Sequence, residues 1–521
     1  MVGENLLTFS DMLYEVELLL TTNESARTRL QNLYTYILAD EFQDTSGQAM
    51  RILTTLAQPQ NLLFAVGDPD QLLYRFAGAT PEENLYDGFD HRYATATTHK
   101  LETNYRSTGA IVAACNSLIA HNYVNGGGPY AEDFRKTLRP RPNADNGQQI
   151  TFAEFDDAED EADAIAYDIR ASLDDGTLAP GDIFIGVRTR AQLAYLEGPL
   201  TRLQIPYINA GGGSFWAMKH VQDVISYVRL AYDNGHKESF GRIYNIATKH
   251  NTDRNGNYLP HRYLGNAFLG MCGGSYLNIR TALRNTKRFR GAQDLIDFMA
   301  DIESVLQDEG LSHALQFVVE ECYRDWINFE EDVEEGDSNK LDDLASVVNV
   351  AQGFTDPGEF FTFVDDSVEK AKAAANKNWD GYVVIATIHR LKGLERECVY
   401  GPGWSEGNLP LPNGVSMPYG ILPHSYALTA GKSSGALGFT RYSKFEDERC
   451  IAFVLASRAK TQLHLSSIRS HRGADLAPSR FIYEMGIQPD TQPEVGATVV
   501  ALYDELDTDA TQRLLDHDWS E

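Results

Sequence analysis

Tyr36-Ile37-Leu38-Ala39-Asp40-Glu41-Phe42-Gln43-Asp44-Thr45 is the stretch from which the fold can be read. Its first four residues are mostly apolar and short enough for a buried strand of a parallel sheet. Two adjacent carboxylates follow, at the carboxyl edge where open α/β sheets bind ligands. On a nucleotide-hydrolysing enzyme, one such carboxylate holds Mg²⁺ through a water and the next polarises the attacking water. A bare Asp-Glu pair after a strand is most simply a solvated acidic turn. The other segments of the chain therefore have to decide between the two readings.

Working outward, Leu62-Leu63-Phe64-Ala65-Val66 reads as a second buried strand and runs into Gly67-Asp68-Pro69-Asp70-Gln71-Leu72-Leu73-Tyr74-Arg75-Phe76-Ala77-Gly78-Ala79. Upstream, Leu13, Val16 and Leu20 share one face of a helix that Ser10 could cap. Downstream come Asn104-Tyr105-Arg106-Ser107, expected strands at 151–155 and 182–187, and the acidic run 156–163, whose acids suit a solvated helix start. Residues 215–378 read as mostly helical, with a basic cluster at Arg280, Arg284, Lys287, Arg288 and Arg290. Val383-Val384-Ile385-Ala386 restores a buried strand and leads into Thr387-Ile388-His389-Arg390-Leu391-Lys392-Gly393-Leu394-Glu395. Glu448-Arg449-Cys450-Ile451-Ala452-Phe453-Val454-Leu455-Ala456-Ser457-Arg458-Ala459 precedes a last strand near 461–465.

Composition bounds what these segments can belong to. The 521 residues suffice for two to four domains, and 43% hydrophobic residues fill sizeable cores. Five scattered cysteines without a Cys-x-x-Cys pair argue against zinc and disulfides and fit a reducing compartment. No apolar run is long enough to cross a bilayer, so a soluble, cytoplasmic protein is expected. The formal charge of −29 neither supports nor excludes nucleic acid, because net charge is a whole-molecule sum and binding needs only a local basic and aromatic groove.

Five segments in this order resemble the motifs of UvrD/Rep/PcrA superfamily 1 DNA helicases, from Walker B at 36–45 to motif VI at 448–459. The resemblance implies an α/β fold with two RecA-like parallel-sheet motor domains, the first incomplete, plus a helical accessory insertion. The implied division is 1–100 for the partial first motor, 101–214 and 379–485 for the second, 215–378 for the accessory domain and 486–521 for an acidic tail. It implies ATP with Mg²⁺ between the motors, single-stranded DNA or a single/double-strand junction across them, and 3′–5′ movement. By position in the motifs, Asp40 takes Mg²⁺ through water, Glu41 is the general base and Gln71 senses the γ-phosphate. Arg106 and Arg458 neutralise transition-state charge, Glu395 accepts from the ribose, and Gly393 permits close approach. Tyr74 and Phe76 offer rings to bases, and Thr387 and His389 reach the DNA backbone. An Arg458 finger of this kind is expected to be removable without harm to the fold.

Two departures accompany the match. Ala77 stands where the family usually has Arg, and Ser457 where it has Thr. A Gly-x-x-x-x-Gly-Lys-[Ser/Thr] phosphate loop occurs nowhere in the 521 residues; Gly431-Lys432-Ser433 lacks the first glycine. The expectation is a helicase that obtains its Walker A segment elsewhere, on a partner chain or upstream. The alternative is an inactive DNA-binding or scaffold remnant of one.

Overall fold

A computed structural model describes residues 8–75, 78–85, 87–123, 130–147, 150–210, 214–251, 259–284, 291–324, 326, 340–374, 379–411, 444–471 and 474–488. Phe76, Ala77, Lys287, Arg288, Arg290, the Gly431-Lys432-Ser433 look-alike and most of the acidic tail lie outside them. The fold is α/β, built on a six-stranded parallel sheet and smaller two-stranded ones.

The first sheet pairs β1 (Ile37–Ala39) with β2 (Leu63–Ala65), parallel and in register, Leu38 beside Phe64. The strands stand where the apolar runs place them, but they are not buried. Leu38 is 77% exposed and Phe64 63%, and Tyr36, Leu62 and Val66 are exposed with them. Alternation puts these five side chains on one face, and among the described residues nothing covers it. The preceding helix, Phe9–Thr22, is capped by Thr8 in a reciprocal box with Asp11 rather than by Ser10. Leu20 is buried on it, whereas Leu13 and Val16 are not.

β3 (Thr103–Asn104) and β4 (Arg139–Pro140) form a short parallel pair. The main sheet holds β5 (Thr151–Phe155), β6 (Ile183–Val187), β7 (Tyr207–Asn209), β8 (Val383–Thr387), β9 (Arg396–Gly401) and β10 (Ala459–Ile468), all parallel, in the order β5-β10-β9-β6-β8-β7. β11 (Ser470–His471) and β12 (Ala474–Asp475) make a small antiparallel pair beyond it. Strands from before and after residues 215–374 interleave completely, so that β5, β6 and β7 are each hydrogen-bonded only to strands of the later half.

Because side chains alternate along a strand, the main sheet feeds two cores. Ile183, Ile185, Val187, Val383 and Ile385 face the helices Ala158–Asp174 and Ala191–Arg202 and, beyond them, the helical segment. Phe184, Val384, Ala386 and Val399 face the helices Gly109–Tyr123 and Lys444–Ala456. Leu72 and Leu73 insert into this second core, which locks the loop after β2 onto the main sheet. Central strand β6 carries Gly186 because a Cβ there would lie 2.2 Å from Leu455 Cδ1.

Between Phe215 and Ala374 the described residues form helices and no strand beyond an isolated bridge. Arg280 is exposed there on Ile279–Arg284. The acidic run after β5 starts Ala158–Asp174, with Asp157 accepting from Glu159 N and Asp160 N. One of its acids is not solvated: Glu161 is buried, accepts from Gly403 N at 2.8 Å, and burial raises its carboxyl to about 7.

Candidate nucleotide and nucleic-acid site

The carboxyl end of β1, the loop after β2, and the ends of β3, β8 and the helix Lys444–Ala456 converge on one cleft. Asp40 and Glu41 are both exposed at its first-sheet wall. Glu41 sits in the left-handed region, φ +49° and ψ +42°, where a non-glycine residue is held against a cost of roughly 1–3 kcal/mol. The bend is fixed by Glu41 N donating to Asp40 Oδ1 at 2.9 Å and by Gln43 Nε2 donating to Glu41 Oε2 at 2.7 Å.

The opposite wall reaches across to it. Lys392, nearly buried after β8, lies 3.1 Å from Glu41 Oε2, pairs with Asp44 and donates to Gln71 O at 3.2 Å. Arg458 Nη2 donates to Gln71 Oε1 at 3.2 Å. Gln71 and Glu41 therefore each meet a cation from the main-sheet side. Lys392 had no role assigned from sequence. The available signal was its place inside the quoted Thr387–Glu395 stretch, directly before Gly393.

Arg458 departs from the expected removable finger. It is 1% exposed, and Nε and Nη1 donate to the carbonyls of Val454 and Leu394 at 3.0 and 3.2 Å. Burial, and then Arg106 nearby, lowers its pKa to about 10. It is structural as well as facing the cleft.

Arg106 is fixed by a local device. Asn104 Oδ1 accepts from the Arg106 and Ser107 amides, turning the chain so that the guanidinium enters the cleft. Its Nε donates to Glu395 Oε2 at 2.5 Å and its Nη1 to Ser457 O at 2.8 Å. Burial works against the Glu395 charge, but Arg106 and then Lys460 hold its pKa below the ordinary value. Arg106 and Glu395, expected to meet a phosphate and a ribose, are here each other's partner.

The aromatic side of the cleft is partly consolidated. Tyr74 is half-buried; its hydroxyl donates to His389 O at 3.4 Å, its ring meets the His389 ring edge-on at 6.3 Å, and Lys392 lies over it. Arg75 pairs with Asp447 at 3.0 Å. Burial, with Arg188 close by, lowers the His389 pKa to about 4, so the ring is neutral near pH 7 and offers a hydrogen bond rather than a charge. Thr387 ends β8 half-buried beside it.

Chemically, the cleft offers exposed carboxylate oxygen for a hard cation, and two guanidiniums, an ammonium and an amide for phosphate oxygens. The backbone N–H cradle of a glycine-rich phosphate loop is not among the described residues. No described helix is long and apolar enough to cross a membrane.

Two protein families match successive parts of the chain. Residues 1–93 match the family described as UvrD/REP helicase N-terminal domain, and residues 99–470 that of the UvrD-like helicase C-terminal domain. The chain is 28% identical over 511 residues to a probable DNA helicase II homolog of Rickettsia conorii, covering 92% of this chain and 68% of that protein. It is 27% identical to the ATP-dependent DNA helicase UvrD1 of Mycobacterium tuberculosis, over 92% of this chain and 61% of the relative. With the putative ATP-dependent DNA helicase YjcD of Bacillus subtilis it shares 28% identity, over 89% of this chain and 55% of that one. The chain thus spans between about half and two thirds of the length of these relatives.

Proposed function

Because this chain belongs to the UvrD-like helicase family, we propose that it supplies most of an ATP-driven DNA helicase whose phosphate loop comes from polypeptide outside these 521 residues. The observation that carries the reading is the bond from Arg458, in the part matching the C-terminal domain, to Gln71, in the part matching the N-terminal domain. A hydrolytic site shared in this way opens and closes with the cleft, which is what couples hydrolysis to movement.

The donor set suits Mg-ATP at one end. Asp40 would hold Mg²⁺ through water, Gln71, Arg106 and Arg458 the γ-phosphate, Glu395 the ribose, and Gly393 a close backbone approach. When bound, ATP supplies the phosphoanhydride whose cleavage drives the motor. Glu41 takes the proton of the attacking water once Lys392, now 3.1 Å from its Oε2, moves away and leaves that oxygen free for the water. Arg106 exchanges Glu395 for phosphate by rotating about a fixed backbone.

DNA contacts are assigned to Tyr74, Phe76, Thr387 and His389, on single strands and junctions, with movement 3′–5′ by family resemblance. The exposed face of Leu38 and Phe64 supports docking of the Walker A segment, because a two-strand parallel sheet with one bare face is not self-sufficient. On this reading the motors comprise 1–100 and 101–214 with 379–485, and 215–378 is the accessory domain.

The test is steady-state phosphate release with saturating single-stranded DNA, for this chain alone and with an added Walker A segment. Alone, turnover should stay far below the ~10 per second of an ordinary enzyme; with the segment it should rise on adding DNA. DNA binding without turnover in both preparations would replace this reading by an inactive DNA-binding remnant.

A further inference from the structure

The loop Asp68-Pro69-Asp70-Gln71 belongs to the part of the chain matching the N-terminal domain, yet it is gripped by residues of the other part. Lys136 Nζ donates to Asp68 Oδ1 and, at 2.6 Å, to Asp70 Oδ2. Tyr123 OH donates to Asp70 Oδ1 at 2.8 Å, and Tyr130 OH to the Pro69 carbonyl at 3.2 Å. The lysine side chain is 13% exposed and Asp70 not at all, so this is an interior ion cluster and not a surface pair. Burial opposes the ammonium charge, but the two carboxylates outweigh it and raise the pKa of Lys136.

The cluster continues into the cleft. Asp68 Oδ2 accepts from Gln71 Nε2 at 2.8 Å, and Gln71 Oε1 accepts from Arg458. A carboxylate only accepts and a guanidinium only donates, so the amide satisfies both in a single orientation. Asp68 thus decides which end of Gln71 faces Arg458, and Lys136 holds Asp68. Lys136 also lies just before β4, whose partner β3 carries Asn104, the residue that turns Arg106 into the cleft. One short segment, residues 136–141, touches the supports of both Gln71 and Arg106.

From this chain of contacts we infer that Lys136 is a positioning residue for hydrolysis. It fixes the orientation of Gln71 through Asp68 and ties that setting to the loop that carries Arg106. The inference rests on the function proposed above and adds a residue that stands behind Asp68 and sets the geometry of the cleft. A lysine whose only task was to neutralise two aspartates would influence stability alone. One acting through Gln71 influences turnover by way of that side chain.

Two measurements test it. In this chain alone, amide hydrogen exchange over residues 68–72 should rise by about tenfold or more in Lys136→Met and in Asp68→Asn, with exchange over 219–232 unchanged. In the form completed with a Walker A segment, Lys136→Met should lower kcat by about 10–100-fold, the range for residues one shell from a site, with KM for ATP within about twofold. Lys136→Arg should recover part of that loss. In a Gln71→Ala background, Lys136→Met should add no further loss, because the two act in series. Unchanged exchange at 68–72, or independent multiplication of the two kcat losses, would overturn the inference. A completed wild-type form without turnover would refute the helicase reading instead, and the exchange experiment would still decide whether Lys136 holds the loop.

Discussion

Replacing Arg458 by alanine should destabilise the protein, and the magnitude can be worked from its bonds. The side chain donates to four acceptors: the carbonyls of Val454 and Leu394, Ser457 Oγ and Gln71 Oε1. Ser457 Oγ donates to Val454 O at 2.9 Å, so these two satisfy each other after the substitution. Leu394 O and Gln71 Oε1 lose this partner in a largely enclosed site, at roughly 1–3 kcal/mol each. Against this stands relief from burying a cation. The fall of its pKa to about 10, caused by burial and then by the nearby Arg106, corresponds to roughly 3 kcal/mol regained. Lost packing of the long side chain adds to the debit, and the balance is a net loss of about 1–4 kcal/mol. For an α/β unit of this size that lowers its unfolding temperature by about 2–4 °C per kcal/mol. Scanning calorimetry of wild-type and Arg458→Ala chains is the assay. An unchanged transition would mean that the guanidinium is not held as described and acts only as a finger. In a form completed with a phosphate loop, turnover should also fall by about 10³–10⁵, measured well below the lowered unfolding temperature.

Three further outcomes are expected. Leu38→Asp and Phe64→Asp should each shift the stability of this chain by no more than about 0.5 kcal/mol, as ordinary surface changes do, yet abolish co-elution with an added Walker A segment in size-exclusion chromatography; retained association would place docking elsewhere. Glu161 has its carboxyl raised from 4.5 to about 7, so the stability it lends is full below 4.5 and is lost as pH rises through 7. Glu161→Gln should flatten urea midpoints measured between pH 5 and 8, and an unaltered slope counts against it. Gly186→Ala places a methyl against Leu455 and Leu391 and should cost about 1–3 kcal/mol by thermal unfolding, whereas a neutral result would show that the core yields there.

The strands were legible because short apolar runs ended by glycine or acids leave few alternatives. Thr151–Phe155 has the expected bounds, and Ile183–Val187 differs by one residue. Burial was not legible for Leu38 and Phe64, since an apolar run records a tendency to be covered and not what covers it. The first cap went to Thr8 because two hydroxyl residues stand close together and only Thr8 is followed three residues later by an acid that can close a box. Motif strings bring Gln71, Arg106, Glu395 and Arg458 to one cleft, but not the partners that hold them. Lys136 and Asp68 are 68 positions apart, and Lys392 and Asp44 are 348 apart, separations at which no periodicity carries information.

The interleaved main sheet has a consequence for how the protein is made. β5, β6 and β7 have no hydrogen-bonded neighbour among themselves; every ladder they join needs β8, β9 or β10. From Asn209 at the end of β7 to Val383 at the start of β8 the ribosome must add 174 residues, a delay of roughly 10–35 s at ordinary elongation rates. Through that interval three apolar strands have open edges on the nascent chain while the helical segment, rich in local contacts, is already complete enough to collapse. The rate of synthesis through residues 215–378 therefore sets how long those edges stay open.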